Sequence, residues 1–407
     1  MKRIISCALL LSAIAAGTAR AESEELPKPT NAALGYWRAF SQMEMKDLDP
    51  ATTKALTDVS SGLAAWDEKA LRPLLDRNAG ALTEFHRAAE KPECDFGLEF
   101  GDGFAMVLPH LAKARGLGRL AAIEAASHAA AGNGEKAVSG WLDGMALARH
   151  LANDQILISL LVARAIWHMH AEGLLAWLAS GNASAKDLQR IEESVAAAPV
   201  GGFDWSTGLR AERLCALLEF DRIAAAANPA AALRDLGSEI VPYPTDGKPL
   251  TDEQLAEAAE TMGVPVETLK SPDALRKIFG QWKEEYRVLL TGMEAALRLP
   301  PWEAQTKLED LMRTAEKSNV LVKMLVPALG QVGETRRLCE AERAGLLGVV
   351  KILRKGAEDL RTIDGLGIPP DPFTGRPFDL RLGKDTIELW SAGKDRDGKD
   401  VVFRVKR

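Results

Sequence analysis

The chain is poor in the residues and signatures that most often announce a chemistry. Its 407 residues include four cysteines, six histidines and three tyrosines. There is no Gly-x-Ser-x-Gly, no phosphate-binding loop, no dinucleotide fingerprint and no His-Glu-x-x-His. Past the N-terminal segment no stretch reaches the roughly 18 uninterrupted apolar residues of a membrane-spanning helix, so the mature chain is expected to have no transmembrane segment. Cys94, Cys215 and Cys339 are left once that segment, which holds Cys7, is set aside. Three thiols at wide separations show no metal-ligand spacing and allow at most one disulfide. Cys215, inside Leu214-Cys215-Ala216-Leu217-Leu218, reads as a small buried hydrophobe. Positive charge is also in deficit, with 51 Lys and Arg against 57 Asp and Glu and a formal charge of -6. An acidic chain argues against nucleic acid as a partner.

What is present begins at the N-terminus. Lys2 and Arg3 precede an apolar run from Ile4 to Ala16, and Ala19-Arg20-Ala21 follows with small residues at both recognition positions of a cleavage site. This is the pattern of a secretory signal peptide over residues 1–21, and an exported, periplasmic or extracellular protein is expected. Cleavage removes three cations, Lys2, Arg3 and Arg20, and no acid, which moves the formal charge from -6 to -9. Residues 22–30, acidic and Pro-containing, read as a flexible leader.

From residue 31 to about residue 355 the dominant period is helical. The stretch 116–180 carries the strongest signal: an Ala-rich helix ending near Ala131, the turn Gly132-Asn133-Gly134, and a helix with Val138, Trp141, Leu142 and Met145 at helical spacing. Asp154–Ser180 is apolar around most of its circumference and is expected to be the buried central helix, with Trp141 and Trp167 buried and close together. Pro73 is placed at the first turn of a helix. Ser184, the Thr251-Asp252-Glu253-Gln254 capping box and Ser271-Pro272-Asp273 mark helix starts. The turn-rich stretch 237–249 reads as a linker or exposed loop, and Pro327 is expected to perturb the chain before a last long helix over Val332–Lys355. From Ile368 the period changes to two: Phe378, Leu380 and Leu382, then Ile387 and Leu389, then Val401, Phe403 and Val405. A small antiparallel three-stranded β-module over residues 368–407 follows. The expected fold is mainly α, an irregular array of helical hairpins with this module appended.

Few residues offer chemistry. His86, His110, His128, His150, His168 and His170 all lie in the first half. His168 and His170, two apart, point to different sides of a helix and do not chelate one ion together. Arg164, His168 and Glu172 share a face at four-residue intervals and read as a polar stripe with local pairing. Glu93, Asp95, Glu99 and Asp102 surround Cys94 in a Gly-containing loop, and with nine tryptophans they carry a hydrolase reading, carbohydrate-active in kind. Asp395, Asp397 and Asp400 gather around Gly398 and are the candidate metal ligands, for calcium, although an Asp-Gly hairpin turn needs no ion. No catalytic or cofactor-binding residue is assigned.

Two stretches resemble known families. Ala125, Gly132, Ala137, Trp141 and Gly144 align with the small, turn, small, aromatic and small positions of a tetratricopeptide-type hairpin. Asp371-Pro372-Phe373-Thr374-Gly375-Arg376-Pro377-Phe378 and Ser391-Ala392-Gly393-Lys394-Asp395 resemble the C-terminal end of type II secretion major pseudopilins. The resemblance covers about 40 residues and implies a strand-rich tail in a region that binds calcium in that family. The prepilin-peptidase site and long apolar assembly helix of those proteins are absent here. The whole arrangement is similar to large groups of uncharacterised exported bacterial helical-repeat proteins, which imply no activity. The expected function is non-catalytic binding or scaffolding of a protein or peptide outside the cytoplasm, because stacked hairpins form extended concave surfaces. The alternatives are the hydrolase and, from the tail, a secretion-system accessory. Mature protein from an exporting host is expected to begin at Glu22, read by N-terminal sequencing; an exported species that keeps Met1 would refute the cleavage site.

Overall fold

Most helix starts follow from a side chain that accepts the free N–H groups of a first turn. The computed structural model describes residues 30–226, 251–358 and 360–407; the expected signal peptide, nearly all of the leader and the turn-rich stretch 237–249 lie outside them. A first group of four helices comprises α1 (Ala33–Gln42), α2 (Pro50–Ser60), α3 (Glu68–Arg77) and α4 (Ala79–Ala89), and Asp49 caps α2. A short 3-10 turn, Phe100–Ala105, leads to the hairpins α5 (Pro109–Ala130), α6 (Gly134–Ala152) and α7 (Leu157–Ala179). The turn between α5 and α6 is where the sequence puts it, with the Asn133 side chain accepting from the Lys136 N–H. Then come α8 (Ala185–Ala196), opened by a Ser184–Asp187 capping box, and α9 (Trp205–Ala225). After the undescribed stretch lie α10 (Asp252–Met262), α11 (Val266–Lys270), α12 (Pro272–Ala296), α13 (Pro301–Ala315) and α14 (Val320–Lys355). Thr251 with Gln254 and Ser271 cap α10 and α12 as their sequences require. No helix among the described residues is long and apolar enough to cross a membrane.

The chain ends in the expected sheet, β1 (Asp379–Leu382), β2 (Thr386–Lys394) and β3 (Asp400–Lys406), antiparallel in the order β1-β2-β3. Its inward face follows the alternation: Ile387 pairs with Val405 and Leu389 with Phe403, and all four are buried. This face packs on α14. A Cβ at Gly345 would overlap the Phe403 ring, so glycine there lets the sheet close on the helix. The outward face is held by Glu388 with Arg404 and by the Arg381 guanidinium 3.7 Å above the Trp390 ring.

Four expectations change. Pro73 lies inside α3, which is capped by Asp67; burial of Leu71, Leu74 and Leu75 on both sides of the proline outweighs the lost hydrogen bond. The last helix starts at Val320, twelve residues before the expected Val332, and continues through Pro327. Leu321, Val322, Val326, Leu329 and Val332 are buried along that part, and such packing offsets a proline cost of about 3 kcal/mol. α7 is not the enclosed centre, since Ile158 and Leu161 are exposed on it. The enclosed element is α14, whose ten consecutive residues Ala341–Val350 are all buried. Trp141 and Trp167 are both buried, yet Trp141 meets Trp177 at 6.0 Å and Trp167 meets Phe203 at 5.9 Å. Cys94, Cys215 and Cys339 are free and buried, so none is in a disulfide.

The two halves of the tail motif, residues 371–378 and 391–395, form one hydrogen-bonded unit. Asp371, 2% exposed, accepts from the Ser391 hydroxyl at 2.8 Å and the Ala392 N–H at 2.8 Å, which lie on β2, and from the Phe373 N–H at 3.2 Å in its own turn. A buried carboxylate with several donors is stable only while all of them stay in place. Asp371→Ala leaves those donors without a partner and should cost about 3 kcal/mol. Thermal melts of the full chain test this against Asp379→Ala on the exposed edge of β1; equal melting temperatures for the two variants would contradict the clamp.

Candidate functional site

One stripe of α7 faces a cleft of about 790 Å³. Leu157, Leu161, Arg164, Ala165, His168 and Glu172 form one wall at three- and four-residue spacing. α14 supplies the second wall with Gln331, Val332, Thr335, Leu338 and Glu342, again at helical spacing. The β2–β3 turn and the start of β3 close the third side, and Ser61 and Leu63 stand at the rim. The Arg396 guanidinium donates to the Thr335 hydroxyl at 2.7 Å and so ties the turn to α14.

Four charged groups meet on the floor. Arg164 is ion-paired with Glu342, and the same Glu342 oxygen lies 2.8 Å from His168 Nδ1. Glu172 Oε1 is 3.9 Å from that nitrogen. Burial alone would raise the Glu342 carboxyl, but Arg164 and His168 hold it below the usual carboxylate range. Burial disfavours charge on His168, and Glu342 more than offsets it, so its pKa is raised. Glu172 is raised by burial, with His168 opposing. His168, Glu172 and Glu342 each place a ligand atom within 4.8 Å of the others, the one such convergent group of metal-ligating side chains among the described residues.

The tail acids line the same cleft but do not converge. Asp395 closes its own turn, accepting from the N–H groups of Asp397 at 2.9 Å and Lys399 at 2.8 Å. Asp400 is paired with Lys394, and Asp397 lies 3.5 Å from Lys399. Each carboxylate therefore has a partner within the turn. Glu93, Asp95, Glu99 and Asp102 are exposed, and none lines the cleft.

Four other histidines are tied into the packing. His110 Nε2 lies 2.7 Å from Asp154, which also accepts from the Ser159 hydroxyl at 2.6 Å. All three are buried, and the serine donates to the aspartate rather than to the histidine, so this is a packing tie and not a nucleophile with its base. His150 joins the Tyr36 hydroxyl at 2.7 Å to the Lys91 carbonyl at 3.0 Å. His170 is fully buried where Gly144 has no side chain, and a Cβ at that glycine would overlap the ring. Burial lowers both His150 and His170 to about 4. His86 bridges Asp143 at 2.6 Å and Glu124 at 2.7 Å; burial opposes its charge, but these hydrogen bonds carry its pKa up to about 9.

Glu342 is the residue that sequence reasoning missed. It is 178 positions from Arg164, and no local spacing links them. One signal was available: Arg336, Arg337, Glu340, Glu342 and Arg343 interrupt a strongly apolar helix, and a charge enclosed in such a helix needs a partner from elsewhere. Comparison of the chain with protein-family models, with curated proteins and with solved structures finds no match in any of the three.

The histidines make stability pH-dependent in two opposite senses. In the unfolded chain they titrate near 6.5. His86, raised in the folded protein, contributes stability that is complete below about pH 6.5 and lost as the pH climbs through about 9. His150 and His170, depressed in the folded protein, contribute stability that is present above about 6.5 and lost as the pH falls toward about 4. Melting temperatures between about pH 4.5 and about pH 9.5 should therefore peak near neutrality. His86→Gln should flatten the alkaline limb only; a limb as steep as in wild type would contradict the clamp.

Proposed function

We propose that the chain is an exported, non-catalytic binding protein and that its ligand, a peptide or protein segment, enters the cleft between α7, α14 and the β2–β3 turn. The observation that carries this reading is the lining: an apolar wall of Leu63, Leu161, Val332 and Val401 next to charged groups of both signs, the cations Arg164, Arg396 and Lys399 and the acids Glu172, Glu342, Asp395, Asp397 and Asp400. An extended segment with apolar side chains and polar or charged groups between them matches such a surface. The charged groups support binding over hydrolysis. A glycosidase-type mechanism needs two carboxylates facing each other across the substrate, one held protonated. The four loop acids that suggested a hydrolase are exposed and outside the cleft, and the two glutamates inside it, Glu172 and Glu342, converge with His168 within 4.8 Å instead of flanking an open gap, with Glu342 also paired to Arg164. Export rests on the N-terminal pattern of residues 1–21.

The test is native mass spectrometry of the mature protein mixed with a defined library of short peptides. Wild type should retain a subset, and Leu161→Asp, on the exposed face of α7, should weaken retention by roughly tenfold, equivalent to about 1.4 kcal/mol, with circular dichroism unchanged. Retention of no peptide by wild type, or equal retention by the variant, would sink the proposal.

A further inference from the structure

The cleft floor holds a set of donors that local ion pairing leaves incompletely satisfied. Glu342 is 7% exposed, yet its Oε2 has no hydrogen-bond partner among the described residues, because Arg164 and His168 both engage Oε1. A buried carboxylate with one oxygen unpartnered is costly and calls for an explanation. We propose that His168, Glu172 and Glu342 form a binding site for a divalent transition-metal ion of the zinc type, with a coordination position open to the cleft. The site goes beyond the binding role: protein atoms would hold the ion whether or not a peptide enters.

The geometry fits such an ion. Ligand atoms about 2.0–2.2 Å from a tetrahedral zinc stand roughly 3.4 Å from one another. His168 Nδ1 lies 2.8 Å from Glu342 Oε1 and 3.9 Å from Glu172 Oε1, distances that bracket this value. His168 and Glu172 are one turn apart on α7 and Glu342 comes from α14, so the ion would bridge two helices. One imidazole nitrogen with two carboxylate oxygens is the donor set of zinc and its neighbours, whereas calcium takes six to eight oxygens. Arg164 is the outer partner: by donating to Oε1 it fixes the Glu342 carboxylate, so that Oε1, 2.8 Å from His168 Nδ1, faces the ion while Oε2 has no other group among the described residues to satisfy it. It also places a positive charge next to the site, which weakens cation affinity relative to a wholly acidic cage and favours an anion at the open position.

The experiment is calorimetric titration of the chelator-stripped mature chain with zinc chloride alone. About one zinc per chain should bind. His168→Ala and Glu172→Gln, at half-exposed positions that preserve the Arg164–Glu342 pair, should each weaken binding by roughly tenfold or more with melting temperature little changed. Calcium under the same conditions should bind far more weakly. No zinc binding, or zinc binding that both variants leave unchanged, overturns the site; calcium binding as tight as zinc overturns the choice of ion.

Discussion

The constraint on which the structure depends is the enclosure of charge along α14. From Leu338 to Val350 the helix is buried on every side, and Glu340, Glu342 and Arg343 are buried with it. Removing a charge from water costs several kcal/mol unless a partner with good geometry replaces the solvent. Each of these groups has one. Arg343 donates twice to Glu340, at 2.8 and 2.7 Å, and Glu340 also accepts from the Gly201 N–H at 2.7 Å in the loop between α8 and α9. One turn earlier, Arg336 donates to the Leu299 carbonyl, just past α12. Glu342 reaches Arg164 and His168 on α7.

These pairings draw on three separate parts of the chain, and that is how a helix formed late in the sequence organises elements formed early. Apolar contacts alone would tolerate sliding and rotation of α7, α8 and α12 along α14, since hydrophobic burial is non-directional. A bidentate ion pair and a backbone N–H aimed at a carboxylate tolerate much less. The cleft is a by-product of the same arrangement: where α7 turns its Arg164–His168–Glu172 stripe toward Glu342, no further helix among the described residues covers it, and the β2–β3 turn lines one side.

Local signals were the legible part. Asn133, Ser184, Thr251 and Ser271 cap the helices that follow them, and the alternation at Ile387, Leu389, Phe403 and Val405 marks the sheet, because caps and strand periods are decided within a few residues. Pro73 and Pro327 were misread for the opposite reason: their local cost is real, and distant packing overrides it. The charges of α14 interrupt its apolar pattern and hide its enclosure, while α7, apolar around most of its circumference, keeps one face exposed. The cleft was half visible, as the stripe on α7 and the acids of the tail turn, but the residue that joins them lies on α14 and nothing in its neighbours records the connection.

The docking of the sheet has a consequence for the charges buried in α14. Phe403 of β3 fills the space that Gly345 leaves open, and Leu389 of β2 does the same at Gly348. Both side chains stand between solvent and a helix whose ion pairs hold only while water stays out. The small sheet thus works as insulation: its apolar face keeps low the local dielectric that gives those pairs their strength.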